Sequence, residues 1–257
     1  MSSFNRSIEE LLKVAGSSGV VALNVPAAAA DSCAAYLHAN WVDGSLPLPG
    51  RLVCQGYSSY GKTLSVHDAE KQRLHTLLIT RPLLRTVRLT LPGFQAIEEY
   101  LVVWLESQYG TVVELFYAHG LRQGPATLCS TGFNIHQDTE DYDFIEYTVV
   151  VKLTPSARGE PPSAMRIVGA DNHFHYGSEA GAAGSFRARV YHASVEPPPG
   201  SQEHLKIAFF FRACPKGERR AKRALGASSN FTLAQRRQRV THDLNAFGFE
   251  AESALPR

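Results

Sequence analysis

The pattern of apolar and polar positions divides the chain into three zones. In the first zone, residues 1–50, the apolar run 19–25 predicts a buried strand, and residues 26–41 predict a helix with proline at its first position. Helical spacing near the start predicts a further short helix, carried by Ile8, Leu11, Leu12 and Val14. This zone is typical of an α/β segment that leads into a larger domain.

The middle zone, residues 51–212, carries the predicted core. Residues 93–110 have one apolar helical face, and Gly110 is a suitable end signal. Five short strand-like runs follow, separated by Gly, Pro and Ser clusters: 111–118, 144–154, 164–169, 185–192 and 204–212. Short strands with turn signals between them predict a β-sandwich or barrel, with the helix packed on its outer sheet.

The last zone, residues 213–257, is locally basic. Eight basic residues and one acidic residue lie between Lys216 and Arg239, so this stretch carries +7 in a chain whose formal net charge is +2. Its pattern predicts two helices, at 216–225 and 231–249. A basic helical segment favours contact with phosphate groups, although a solvated helix face has the same composition.

The composition is ordinary for a folded globular protein. The chain has 257 residues, of which 44% are apolar and 19% charged, and these values exclude a disordered, collagen-like or coiled-coil protein. No apolar run approaches the roughly 18 residues that a membrane span needs, and the first residues lack the long apolar stretch of a secretory signal, so we expect neither. The four cysteines show no metal-ligand spacing, so we expect reduced thiols in an intracellular protein. We expect one domain, 1–257, with a flank to 110, a β core at 111–212 and the basic extension beyond.

The candidate chemistry lies in the stretch 133–141, which holds the only His-x-Asp of the chain, His136 and Asp138. Residues i and i+2 of a strand end project to the same side, so this imidazole and this carboxylate can reach one metal ion. A second histidine, His192, is expected at the end of the strand 185–192, on the face shared by Phe186. Two histidines and one carboxylate form the facial triad of non-haem Fe(II) oxygenases.

From about Leu115 to Arg212 the sequence resembles the Fe(II)/2-oxoglutarate-dependent dioxygenases. The resemblance implies a double-stranded β-helix (jelly roll) in which His136, Asp138 and His192 bind Fe(II). It also implies O₂ and 2-oxoglutarate as cosubstrates, and hydroxylation of an aliphatic C–H bond. In that family a basic residue on the strand after the distal histidine anchors the far carboxylate of 2-oxoglutarate. Lys206 and Arg212 lie on one face of that strand, and the position of Lys206 early in the strand favours it.

A narrower resemblance concerns the string HQDTED, residues 136–141. It is similar to the algal TET/JBP-related enzymes that modify 5-methylcytosine in DNA, where ascorbate is the co-oxidised compound. This resemblance implies that Asp141 recognises ascorbate, and the basic segment 216–239 is compatible with binding to DNA phosphates. A flipped base would then meet the metal, and the protein would be nuclear.

Three alternatives stay open at the level of sequence. The first is a cytoplasmic hydroxylase of a small molecule, such as a free amino acid or a natural-product intermediate. The second is a jelly-roll binding protein that has lost catalysis. The third is a cupin-type metal motif made by His173, His175 and Glu179, which lacks the glycine that cupins have six residues before the first histidine, where Ile167 stands.

Overall fold

The computed structural model describes residues 19–56, 73–124, 136–139, 142–168, 170, 172–195, 197 and 199–214. The helices expected at 8–14, 216–225 and 231–249 and the side chain of Asp141 lie outside these residues.

The described chain contains eleven strands and three helices. The strands are β1 (Val21–Asn24), β2 (Ser45–Leu48), β3 (Leu52–Gln55), β4 (Thr76–Ile79), β5 (Val113–Gln123), β6 (Ile145–Lys152), β7 (Ala164–Ile167), β8 (Phe174–His175), β9 (Ala182–Arg187), β10 (His192–Ser194) and β11 (His204–Ala213). The helices are α1 (Ala27–Asn40), α2 (Leu84–Thr90) and α3 (Phe94–Tyr109). The pattern did not predict the hairpin β2–β3, strand β4 or helix α2.

Two antiparallel sheets build the main body of the fold. The large sheet has six strands in the order β1-β9-β6-β11-β5-β4, and the small sheet has three in the order β10-β7-β8. Strand β11 lies at the centre of the large sheet, where Phe209 opposes Ala118 of β5 and Val149 of β6. Strands that follow one another along the chain are therefore distributed over two facing sheets.

The large sheet has an apolar core on each side. Alternate residues of β11, Leu205, Ile207, Phe209 and Phe211, belong to the core beneath α1 and α3. Ala208 and Phe210 belong instead to the second core, which residues of β7 and β8 complete. Because successive side chains of a strand point to opposite faces, this split follows directly from the alternation along β11.

Helix α3 covers the outer face of the large sheet, as its apolar stripe predicted. Its buried residues are Phe94, Ile97, Leu101, Val102 and Leu105, and the ring centroids of Phe94 and Phe209 lie 5.3 Å apart. Gly110 takes a left-handed conformation with φ of 63° and ends the helix, because glycine has no Cβ to oppose that conformation.

The prediction of one strand across 185–192 was wrong. Strand β9 ends at Arg187, the chain turns with a hydrogen bond from Val190 N–H to the Arg187 carbonyl, and β10 begins at His192 in the small sheet. The run carries alternating apolar side chains on both sides of the turn, so its periodicity does not reveal where the chain changes sheets. His192 therefore begins a strand rather than ending one. Among the described residues, no helix is long and apolar enough to cross a membrane.

Candidate metal centre

The backbone brings the two segments of the candidate site together. His136 and His192 form an isolated antiparallel bridge, with each N–H donating to the other residue's carbonyl at 3.0 Å. Two residues on, Asp138 N–H donates to the carbonyl of Ala188 at 2.9 Å. The stretch 136–139 is thus docked on the turn that connects β9 with β10, which fixes all three candidate ligands on one local frame.

The side chains of His136, Asp138 and His192 converge. One ligand atom from each lies within 4.8 Å of the others. Among the described residues, these three form the one group of His, Cys, Asp or Glu side chains that is close enough to share a metal ion. Nε2 of His136 lies 3.4 Å from Oδ1 of Asp138, and Nε2 of His192 lies 3.8 Å from Oδ2. Two imidazole nitrogens and one carboxylate oxygen on one side of a potential ion match the facial set that binds Fe(II).

The tautomer of His192 suits metal binding. Its Nδ1 lies 2.9 Å from the carbonyl of Val190, which accepts only, so Nδ1 carries the proton. Nε2 is then the ring nitrogen that faces Asp138, at 3.8 Å from Oδ2, and it is the nitrogen that would bind an ion. A hydrogen bond at the second ring nitrogen is the usual support of a metal-binding histidine, so the residues present fit a divalent transition metal.

The environment keeps Asp138 ionised. Burial raises the pKa of its carboxyl group, but the positive potential of His192 and His136, together with hydrogen bonds from His136 and Thr148, outweighs burial. The pKa of Asp138 consequently lies below its ordinary value. An ionised carboxylate at the centre of the cluster is the state that a cation needs.

Lys206 lies inside the barrel, on the face of β11 that also carries Ala208 and Phe210. Its side chain is 3% exposed, and its ammonium donates to Oε1 of Gln123 and lies 4.5 Å from the ring centroid of Tyr176. Burial, with a further contribution from Lys152, lowers the pKa of Lys206 to about 7. Within the described residues no carboxylate forms an ion pair with this ammonium, so an anionic ligand would stabilise its charge.

The structure places Arg212 differently from Lys206. Arg212 lies at the opposite end of β11 and forms a salt bridge with Glu114, which also binds Arg81 at 3.2 Å. Its guanidinium therefore already has a carboxylate partner, whereas the ammonium of Lys206 has none among the described residues. Asp141, the candidate ascorbate contact, lies outside the described residues.

The cupin-type motif is not assembled. His173, His175 and Glu179 are all exposed, and they do not form a cluster of metal ligands among the described residues. Phe174, between the two histidines, points into the second core. The alternation therefore places both histidines on the outer side of the small sheet.

Several interior polar residues were not predicted from the sequence. Thr148 and His119 lie on β6 and β5, and Tyr176 follows β8. Burial lowers the pKa of His119 to about 4, while the charge of Asp138 raises it and that of His136 lowers it further. Thr148 lies on the same face of β6 as Val150, and this alternation of side chains along the strand was the one sequence signal that it faces the interior. No sequence motif indicated His119, because only the packing of β5 brings it near the candidate ligands Asp138 and His136.

No protein-family model and no curated protein sequence matches this chain. Solved structures of similar backbone include a prolyl-4-hydroxylase from Pseudomonas putida, 14% identical, with a TM-score of 0.50 over 80% of this chain and 98% of that one. AviO1 from Streptomyces viridochromogenes is 12% identical, with a TM-score of 0.49 over 84% and 99% of the two chains. A prolyl hydroxylase from Trichoplax adhaerens, in complex with a hypoxia inducible factor peptide, is 14% identical, with a TM-score of 0.47 over 86% and 92%. At this identity the likeness to the Pseudomonas putida protein establishes the fold, and the chain is a double-stranded β-helix as its sequence predicted.

Proposed function

We propose that this protein is an Fe(II)- and 2-oxoglutarate-dependent dioxygenase that hydroxylates an aliphatic C–H bond of a small molecule. The observation that carries the proposal is the convergence of His136, Asp138 and His192 within 4.8 Å inside a double-stranded β-helix. That ligand set leaves coordination positions for a bidentate acid and for O₂. The intact ligand set argues against a binding protein that has lost catalysis.

Each residue of the cluster has a distinct task. His136 and His192 would each hold the ion through a ring nitrogen, and the carboxylate of Asp138 would offset part of its charge. Bound iron would supply the activation of O₂, which amino-acid side chains do not provide. The remaining contribution of the chain is to orient the reactants and to exclude water from the barrel interior.

Lys206 is the proposed anchor of the far carboxylate of 2-oxoglutarate. It is a buried ammonium whose described contacts are an amide oxygen and an aromatic ring, neither of which carries a full negative charge. A dicarboxylate with one end at the metal would bring its second carboxylate toward this ammonium. Desolvated ion pairs of this kind are strong because water does not compete for them.

At the end of the barrel away from Lys206, a cluster of aromatic side chains favours a small organic substrate. Phe116 packs edge-to-face against Tyr142 and Phe144 at centroid distances of 5.0 and 4.9 Å. Phe144 is 41% exposed, so this aromatic cluster extends from the second core to the surface. Apolar walls with a few polar groups are typical of small-molecule sites.

The test measures iron binding and 2-oxoglutarate turnover together. Wild-type protein is expected to bind one Fe(II) per chain and to convert 2-oxoglutarate to succinate slowly even without substrate. His136→Ala and His192→Ala should each lose both properties, because either change removes a ligand. His175→Ala is the matched control, since it removes an exposed histidine outside the cluster. Equal iron affinity in wild type and His136→Ala would overturn the proposal.

Substrate identity is tested in the same assay. Free amino acids, a proline-containing peptide and DNA containing 5-methylcytosine are offered in turn, and acceleration of succinate release with a matching mass increase identifies the substrate class. The DNA hypothesis rests on Asp141 and the segment 216–239, both outside the described residues. A modified cytosine, formed with 2-oxoglutarate or with ascorbate in separate reactions, would favour DNA over the small molecule proposed here.

A further inference from the structure

Thr148 contacts the candidate metal cluster from the large sheet. It lies on β6, is 1% exposed, and donates its hydroxyl hydrogen to Oδ2 of Asp138 at 2.6 Å. Its neighbours across the sheet are Phe210 and Phe186. Thr148 is therefore a polar side chain placed between two buried aromatic residues of the interior face.

The two oxygens of Asp138 have different surroundings. Oδ2 accepts from Thr148 and lies 3.8 Å from Nε2 of His192, whereas Oδ1 lies 3.4 Å from Nε2 of His136. Without the hydroxyl, rotation about the last side-chain bond would exchange the two oxygens, because that torsion is broad and roughly two-fold. A short hydrogen bond to one oxygen stabilises one of these orientations.

We propose that Thr148 is a positioning residue that holds Oδ2 of Asp138 and so leaves Oδ1 as the single carboxylate oxygen offered to the metal. This inference rests on the proposed function, since it assumes that the cluster binds iron. Hydrogen bonds to a ligand from outside the coordination sphere orient it and tune its strength, and their loss typically weakens metal binding about 10- to 100-fold.

The test compares Thr148→Val with Thr148→Ser. Valine keeps the volume and β-branching but removes the hydroxyl, whereas serine keeps the hydroxyl. We expect Fe(II) affinity, measured anaerobically, to fall about 10- to 100-fold in the valine variant and to stay near the wild-type value in the serine variant. The absorption spectrum of Co(II)-loaded protein reports the ligand geometry, and only the valine variant should change it.

The outcomes separate this inference from the function it rests on. Wild-type affinity together with an unchanged Co(II) spectrum in Thr148→Val would overturn the role of Thr148 and leave the proposed function standing. An equal loss in both variants would also overturn it, because serine keeps the hydroxyl and the loss would then not come from the hydrogen bond. If wild-type protein itself does not bind Fe(II), both fail. Should the valine variant not fold, Thr148→Ala makes the same comparison with serine.

Discussion

Lys206 illustrates how burial sets the chemistry of a single residue. An exposed lysine is protonated far above neutral pH, but burial and the proximity of Lys152 lower the pKa of Lys206 to about 7. The free protein is then only partly charged at this position at neutral pH. An anionic ligand would raise the pKa again, so binding of the ligand and of a proton are coupled.

From this coupling we predict that 2-oxoglutarate binds more weakly as pH rises above 7. The carboxylates of the ligand are ionised throughout, whereas Lys206 must gain a proton to pair with them, so the apparent Kd should rise up to about tenfold per pH unit. Anaerobic titration of the iron-loaded protein between about pH 6.5 and 8.5 measures this slope.

Lys206→Arg is the control for that measurement. Arginine stays charged over the whole range, so the variant should bind with little pH dependence, whatever its absolute affinity. Lys206→Met should bind weakly at every pH. A flat profile for wild type would contradict the lowered pKa of Lys206, and wild-type affinity in Lys206→Met would contradict its assignment as the anchor.

At the scale of elements, Gly93 lets the start of α3 lie close against α1. Gly93 precedes α3 with φ of 79°, and a Cβ added there would lie 2.0 Å from the carbonyl oxygen of Ala29 in α1. Both the backbone conformation and the lack of space require glycine at this position. Gly159 has a similar φ of 81°, but a Cβ there would meet no atom within 4 Å.

Comparing alanine substitutions at these two glycines distinguishes the cost of backbone strain from the cost of a steric clash. Gly159→Ala should lower the free energy of unfolding by about 1 kcal/mol, the cost of a left-handed alanine. Gly93→Ala carries the same strain and must also move two helices apart, so we expect a further loss of about 2 kcal/mol or more. Urea unfolding followed by circular dichroism measures both. Equal losses would show that the α1–α3 contact is loose.

At the scale of the whole molecule, the large sheet connects two cores with different tasks. One core lies beneath the helices and stabilises the sheet, and the other lies between the sheets and contains the candidate site. Phe209 is fully buried at the centre of the first core, on β11, whose opposite face carries Lys206 and Phe210. A change in the core beneath the helices should therefore lower the free energy of unfolding without changing metal binding between the sheets.

Phe209→Ala tests this separation. Truncating a fully buried phenylalanine should lower the free energy of unfolding by about 3–5 kcal/mol. In the temperature range where the variant stays folded, its Fe(II) affinity should remain within about threefold of wild type, because no candidate ligand contacts the helix core. Val103 on the outer face of α3 is 68% exposed, so Val103→Ala should change the free energy of unfolding by less than about 0.5 kcal/mol. A large loss of iron affinity in Phe209→Ala would contradict the separation.

Several elements, the fold class and the candidate ligands could be predicted from the amino-acid sequence. The spacing of apolar residues predicted α1, α3 and the long strands, because periodicity is a local property of each element. The resemblance based on His136, Asp138, His192 and a basic residue on the final strand predicted a double-stranded β-helix, which the structure confirms. His136 and Asp138 were predictable as a pair because two residues of separation on one strand end determines a shared side.

Other features of the site depend on contacts between distant parts of the chain. The sheet change after Arg187, the burial of Lys206 opposite the salt-bridged Arg212, and the hydrogen bond from Thr148 to Asp138 all join positions that are distant in sequence or lie across a turn. Such contacts depend on strand order and register, which alternating patterns leave open, because the same pattern fits either sheet. The identity of the candidate ligands was thus readable along the chain, whereas their orientation and the charge of their surroundings arise from packing in three dimensions.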